Sequence, residues 1–195
     1  MLELLQRMDT NTLELVHHYT QNYVFDRIMP FITSLGNLGM IWIIISIVLL
    51  LNKKYKNIGL MCLTALILDT IIGEGILKHL IQRPRPFVSM PAIHLLIAKP
   101  TSFSFPSGHT SASFAAVGVI WSQLRKYRMH AILLASLISF SRLYLFVHYP
   151  SDVLAGIIQG LICAKIVLIY YPLTIGKSAS AYTNWTQVLE LARLK

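Results

Sequence analysis

Charge is scarce in this chain. Asp, Glu, Lys and Arg make up 13% of its 195 residues, about half the roughly 25% of an ordinary soluble domain. Acid is scarcer still: 8 Asp and Glu stand against 17 Lys and Arg, a formal charge of +9. Two cysteines are too few for a disulfide scaffold. No Cys/His spacing suggests zinc, and no cofactor or metal is expected. Hydrophobic residues at 55% exclude a disordered chain. The basic excess alone would suit a nucleic-acid binder, but such footprints lie on polar surfaces. Here the apolar residues run in long blocks, so a membrane partner is expected and a nucleic-acid partner is not. There is no internal repeat, and the length fits one domain. That domain is expected over 1–176, followed by a cytoplasmic amphipathic tail over 177–195.

A helical span needs about 20 mainly apolar residues. Uncharged 37–52 is the first such block, and 24–36 either lengthens it or forms a half-helix before it. The others are 55–81, 108–124, 130–148 and 151–171. The expected fold is an all-α polytopic membrane helix bundle with about five to six transmembrane helices. The N-terminus lacks the basic start of a secretory signal, and Glu3, Asp9 and Glu14 interrupt any apolar core. Leu2, Leu5, Met8, Leu13 and Val16 predict instead an amphipathic helix lying in the interface.

Short-loop charge predicts orientation. Lys53, Lys54 and Lys56 follow the first span, Arg125, Lys126 and Arg128 follow the third, and Lys177 follows the fifth. With five spans these lie on one side, which the positive-inside rule makes cytoplasmic. Trp121, Tyr127, Tyr170 and Tyr171 sit at the same boundary, as an aromatic belt does. The protein is therefore expected in the cell membrane with its C-terminus cytoplasmic.

The remaining polar residues fall into three groups at the opposite ends of the spans. Lys78 to Pro86 ends the second span, Pro106-Ser107-Gly108-His109 starts the third, and Ser141-Arg142 with His148 and Asp152 straddles the turn from the fourth to the fifth. Alternating spans bring all three to one extracytoplasmic face. Lys78, Arg85 and Arg142 supply three cations. Ser107 and Gly108 open a helix whose free N–H groups favour an anion, and Gly108 has no side chain to block approach. Phosphate suits such a pocket, because Arg matches its oxygens bidentately. Asp152, four residues after His148, can hold one imidazole nitrogen and leave the other as a nucleophile. His109 can then protonate the leaving oxygen. This is a metal-free phosphoryl-transfer site, the cations taking the role that magnesium has elsewhere.

Other polar residues read more plainly. Arg83 reads as interface charge, His79 and His94 as loop residues, and Lys165 as snorkelling to the cytoplasmic edge. Lys78 can pair with Glu74 one turn earlier. Asp69 lies inside a span, where acids are costly and usually paired, and the sequence offers no evident partner. Cys62 and Cys163 read as packing residues. The apolar stretch 87–98 reads as an interfacial segment or a guide for a lipid tail.

In this order the three groups resemble the type 2 phosphatidic acid phosphatase superfamily. Its signature, Lys-x6-Arg-Pro, Pro-Ser-Gly-His and Ser-Arg-x5-His-x3-Asp, is met at every specified position between Lys78 and Asp152. The resemblance implies that Lys78, Arg85 and Arg142, with Ser107 and Gly108, bind phosphate. It implies that His148 is the nucleophile forming a phosphohistidine, Asp152 its orienting partner and His109 the general acid. It implies an enzyme, a membrane lipid phosphatase of the undecaprenyl-diphosphatase or phosphatidylglycerophosphate phosphatase type. The brief N-terminal segment and outward site favour the former. A phosphatidic acid phosphatase, a lipid phosphotransferase and a non-catalytic binder of anionic lipids are the alternatives. The partners implied are a membrane lipid phosphate and the bilayer.

Overall fold

The computed structural model describes residues 2–90 and 93–175. The tail over 177–195 lies outside the described residues. Among those described, every regular element is helical: α1 Leu2–Thr20, α2 Tyr23–Leu35, α3 Met40–Leu51, α4 Lys56–Thr70, α5 Lys78–Ile81, α6 Pro86–Ser89, α7 Gly108–Gln123, α8 Arg128–Tyr144 and α9 Pro150–Ile175.

Local chemistry sets several boundaries. The Asn22 side chain accepts from the backbone N–H groups of Val24 and Phe25 and so starts α2. The 24–36 segment takes the half-helix alternative. It is separated from α3 by a 3-10 turn over Asn37–Gly39, where Leu38 and Gly39 have φ of 52° and 68°. The two halves meet at a 48° bend. A π segment, Ile71–Leu77, joins α4 to α5 without a break and carries Glu74 toward the site.

Two helical stretches are long and apolar enough to cross a bilayer, Lys56–Ser89 and Pro150–Tyr171, and the bent α2–α3 pair makes a third. α7 and α8, with 16 and 17 residues, reach about 24–26 Å, just short of the roughly 30 Å of a hydrocarbon core. α3 and the outer faces of α4 and α9 leave Ile44, Val48, Leu51, Ile67, Ile158, Ile162 and Ile169 exposed. An apolar exterior of this kind suits a lipid solvent. α1 has a mixed outcome: Leu13 is fully buried, while Leu5 and Met8 are exposed.

α7 is the central element, packed against α9, α4 and α8. Its inward positions are small (Ser111, Ala112, Ser113, Ala115, Ala116), and all are buried. Small residues let helix backbones approach closely where no hydrophobic effect drives association. A Cβ at Gly160 of α9 would lie 2.3 Å from the Ser111 carbonyl oxygen and 2.7 Å from the Ala115 nitrogen; one at Gly118 would lie 2.5 Å from the Ala164 methyl. The buried acid of the spans is paired. Asp69 accepts from the Ser111 hydroxyl at 2.8 Å and the Gln159 amide at 2.7 Å, which supplies the partners the sequence left open. Cys62 and Cys163 are free and buried.

The Gly160 contact is with backbone, which cannot move aside. Gly160→Ala is expected to destabilise by about 1–3 kcal/mol, the usual cost of overpacking. A Cβ at Gly75 would meet nothing within 4 Å, so Gly75→Ala is expected to be neutral or to stabilise by up to about 1 kcal/mol. Thermal melting in detergent compares the two.

Candidate active site

Six of the eight residues singled out from the sequence line one cavity of about 860 Å³: Lys78, Arg85, Gly108, His109, Arg142 and His148. Ser107 and Asp152, both fully buried, stand behind it and do not line it. Antiparallel helices produce the meeting. The π segment and α5 deliver Glu74 and Lys78, the loop before α6 delivers Arg85, and the first turn of α7 delivers Gly108 and His109. The last turn of α8 delivers Arg142, and the connection over 145–149 delivers His148.

The three cations are held differently. Lys78 is bonded to Glu74 at 2.7 Å and to the Ser102 hydroxyl at 3.1 Å. Arg85 is saturated. It donates to the carbonyls of Ser102 (2.7 Å), Val147 (2.8 Å) and Phe103 (3.2 Å), and to the Ser102 hydroxyl (3.1 Å). Arg142 is not. It donates to the Thr33 hydroxyl, and its Nε is buried with no hydrogen-bond partner. A buried guanidinium N–H without an acceptor is costly.

His148 is almost wholly buried. Its Nε2 lies 3.1 Å from an Arg85 guanidinium nitrogen. Arginine only donates, so Nε2 accepts and the ring proton belongs on Nδ1. Nδ1 faces Asp152 at 3.7 Å, longer than a hydrogen bond. Asp152 is held instead by the Ser104 hydroxyl (2.6 Å), the Tyr149 backbone N–H (2.9 Å) and Arg83 (2.6 Å). The i, i+4 spacing thus brings the two residues together without closing the direct bond. Burial, then the neighbouring Arg85 and Arg142, outweigh Asp152 and hold the imidazole well below its ordinary range, at about 3. The ring is neutral, the form a nucleophile needs.

His109 is pinned from a distant element: its Nε2 lies 3.0 Å from the Asn37 side-chain oxygen in the turn between α2 and α3. Gly36 permits this, because a Cβ there would sit 2.7 Å from the His109 ring. Gly108 also lies close to Glu74, its missing Cβ falling 2.5 Å from the end of that carboxylate side chain.

Sequence reasoning passed over several residues of this assembly: Ser102, Ser104, Asn37 and Thr33. Arg83 departs from its reading as interface charge. Its side chain is 15% exposed and ion-paired to both Asp9 and Asp152 at 2.6 Å. Its position two residues before Arg85, within Arg83-Pro84-Arg85-Pro86, was the available signal. The stretch 87–98 is split: Phe87, Leu95 and Ile97 pack around Met29 and Tyr144, while Ile97 and Ala98 also border the cavity.

A bundle that gathers Lys, two Arg, two His and a helix N-terminus at one end is the architecture of a phosphatase-like anion site, and residues 58–175 match the PAP2 superfamily. The chain belongs to that superfamily. It is 32% identical over 144 residues to an undecaprenyl-diphosphatase of Sulfolobus acidocaldarius, a match covering 73% of this chain and 69% of that one. Its fold is similar to that of LpxE from Aquifex aeolicus (TM-score 0.74, 27% identity, 84% of this chain and 96% of that one). It is also similar to a transmembrane PAP2-type phosphatidylglycerolphosphate phosphatase from Bacillus subtilis (TM-score 0.69, 26% identity, 86% of each).

The buried neutral imidazole predicts a pH dependence of stability. The unfolded chain binds a proton at His148 near pH 6.5, whereas the folded chain does so only near 3. Between these values the unfolded state holds more protons, so stability rises with pH and falls as pH drops below about 6.5. The limiting slope is about 1.4 kcal/mol per pH unit. Melting temperatures from pH 7 to pH 4.5 should fall for the native chain and fall less steeply for His148→Asn.

Proposed function

We propose that this protein is an integral membrane lipid phosphatase or diphosphatase acting on a polyprenyl pyrophosphate such as undecaprenyl pyrophosphate. The observation that carries the reading is the convergence of Lys78, Arg85, Arg142, His109 and His148 on one cavity. Similarity to an undecaprenyl-diphosphatase supports the substrate class. Similarity to a phosphatidylglycerolphosphate phosphatase keeps that lipid as the second reading.

Lys78, Arg85 and Arg142, with Ser107 and the Gly108 backbone, hold the phosphoryl oxygens and stabilise the charge that builds on them. His148 Nε2 attacks phosphorus, forming a P–N bond as the bond to the leaving oxygen breaks. His109 gives that oxygen a proton. Water then attacks the phosphohistidine, His109 takes back a proton, and inorganic phosphate leaves. Asp152 steadies the Nδ1 side of His148 throughout.

The same reading places five spans in the bilayer: the bent α2–α3 pair, α4 with its π extension, α7, α8 and α9. Lys53, Lys54, Lys56, Arg125, Lys126 and Arg128 then mark the cytoplasmic face, the active site opens outward, and α1 rests at the outer interface. Residues 1–176 form one domain, and 177–195 form a cytoplasmic tail.

Purified protein in detergent is expected to release phosphate from polyprenyl pyrophosphate with chelator present. His148→Ala should lower the rate by about three orders of magnitude or more. Full activity in that variant removes the proposed nucleophile, and a requirement for added magnesium removes the metal-free mechanism. A panel with phosphatidylglycerophosphate and phosphatidic acid ranks the substrate readings.

Glu74 supplies a further test. It occupies Lys78 as an internal anion, and its side chain is 45% exposed, so the pair is worth at most about 1 kcal/mol. Glu74→Gln should free Lys78 and tighten inhibition by inorganic phosphate about two- to fivefold.

A further inference from the structure

Arg83 is absent from the residues that line the cavity, and both ends of its guanidinium are engaged elsewhere. One terminal nitrogen donates to Asp152 at 2.6 Å and to the Ser151 hydroxyl at 2.7 Å. The other donates to Asp9 at 2.6 Å and to the Gln6 side-chain oxygen at 2.7 Å. Its plane lies over the Tyr149 ring, 4.1 Å from the centroid. Asp9 in turn accepts from the Ser151 backbone N–H at 2.9 Å and from the Ser151 hydroxyl. Asp9 and Asp152 are 4% and 0% exposed. Two buried carboxylates therefore share one guanidinium, and a bridge runs from α1 to the first turn of α9.

The bridge ends on the carboxylate beside the nucleophile. Asp152 and His148 stand 3.7 Å apart with no direct hydrogen bond, so Asp152 is placed by its other partners, Ser104, Tyr149 N–H and Arg83. Only the link through Arg83 comes from outside the stretch 104–152. It is also the one that reaches the N-terminal helix. A fork with two donor ends is needed to hold both acids, and removing the fork leaves two buried carboxylates without their shared cation.

We propose that Asp9 and Arg83 are positioning residues for hydrolysis: through Arg83, helix α1 holds Asp152 in the place from which it orients His148. This rests on His148 being the nucleophile. The residues touch no substrate, so their removal should lower kcat and leave KM in place.

The test uses the full chain in detergent with polyprenyl pyrophosphate, reading kcat, KM and the melting temperature. Asp9→Asn and Arg83→Gln are each expected to lower kcat about 10- to 100-fold, the cost of a small misplacement at the reacting centre. KM should stay within about twofold. Asp9→Glu, which keeps the charge, should recover part of the loss. The double variant should be no worse than Arg83→Gln alone, because Asp9 acts through Arg83. Native kcat in Asp9→Asn, a loss confined to KM, or losses that multiply in the double variant would each overturn the proposal. If Arg83→Gln does not fold, Asp9→Asn against Asp9→Glu decides. His148→Ala in the same assay separates the two levels. If that variant stays active, the nucleophile is wrong; if it is dead while Asp9→Asn is fully active, the bridge alone is refuted.

Discussion

The close approach of α7 to α9 sets the position of everything at the site. Gly156 of α9 lies so near the start of α7 that a Cβ there would come within 2.8 Å of the Ser107 carbonyl oxygen and 3.2 Å of the Ser111 nitrogen. The Ser107 N–H donates to the Asp152 carbonyl oxygen at 3.1 Å. The mouth of α7, where free backbone N–H groups favour an anion, is thereby locked beside the turn that carries His148. Small residues in a membrane bundle are usually read as packing devices. Here the same glycines set the start of α7 against the turn that carries His148, the nucleophile of the proposed mechanism.

A cluster of three cations inside a largely apolar bundle is costly unless each is answered. The answers come mostly from the loop that holds Ser102, Phe103 and Ser104. Ser102 alone serves Lys78 and Arg85, by its hydroxyl to both and by its carbonyl to Arg85. Glu74 neutralises Lys78. Arg142 is the exception, with Nε left open. The unfilled demand of the site is therefore concentrated on one cavity-lining guanidinium rather than spread over the cluster. In the proposed reaction a phosphate would meet Arg85 already oriented by these bonds. Such pre-organisation lowers the cost of rearrangement at the moment of reaction.

The residues to which the proposed mechanism gives the chemistry could be picked out in the sequence because that chemistry restricts them. A metal-free phosphoryl site needs cations, a helix mouth and imidazoles, and in so apolar a chain few residues qualify. The supporting shell was not legible, for a physical reason. Thr33, Asn37 and Ser102 are ordinary polar residues until the fold brings them to Arg142, His109 and Arg85. Arg83 looked idle because its two acids lie 74 and 69 residues away. The helix pattern was read better than its lengths. Blocks of hydropathy locate α3, α4, α7, α8 and α9 and offer a half-helix over 24–36 as one alternative, but they do not fix the turn at Asn37–Gly39 or register the π segment. Both irregularities are backbone events in apolar stretches, and both deliver a polar side chain to the site, Asn37 to His109 and Glu74 to Lys78.

The lining of the cavity gives a reason for this arrangement to sit at a bilayer edge. Its polar end holds Lys78, Arg142 and His148, and its other border is Leu38, Ile43, Leu63, Ile67 and Ile71. Leu38, Ile43, Ile67 and Ile71 are also exposed on the outside of the bundle. The cavity therefore runs from charge toward the apolar exterior. A soluble phosphate ester could use only the polar end. A phosphate joined to a hydrocarbon chain could use both, burying apolar surface at one border while its oxygens meet the cations at the other. The bend between α2 and α3 supplies that border, since Leu38 and Ile43 flank it. The same break that pins His109 through Asn37 thus shapes the apolar side of the cavity. In the proposed mechanism, contact with a lipid tail and placement of the acid both follow from one interruption in a membrane helix.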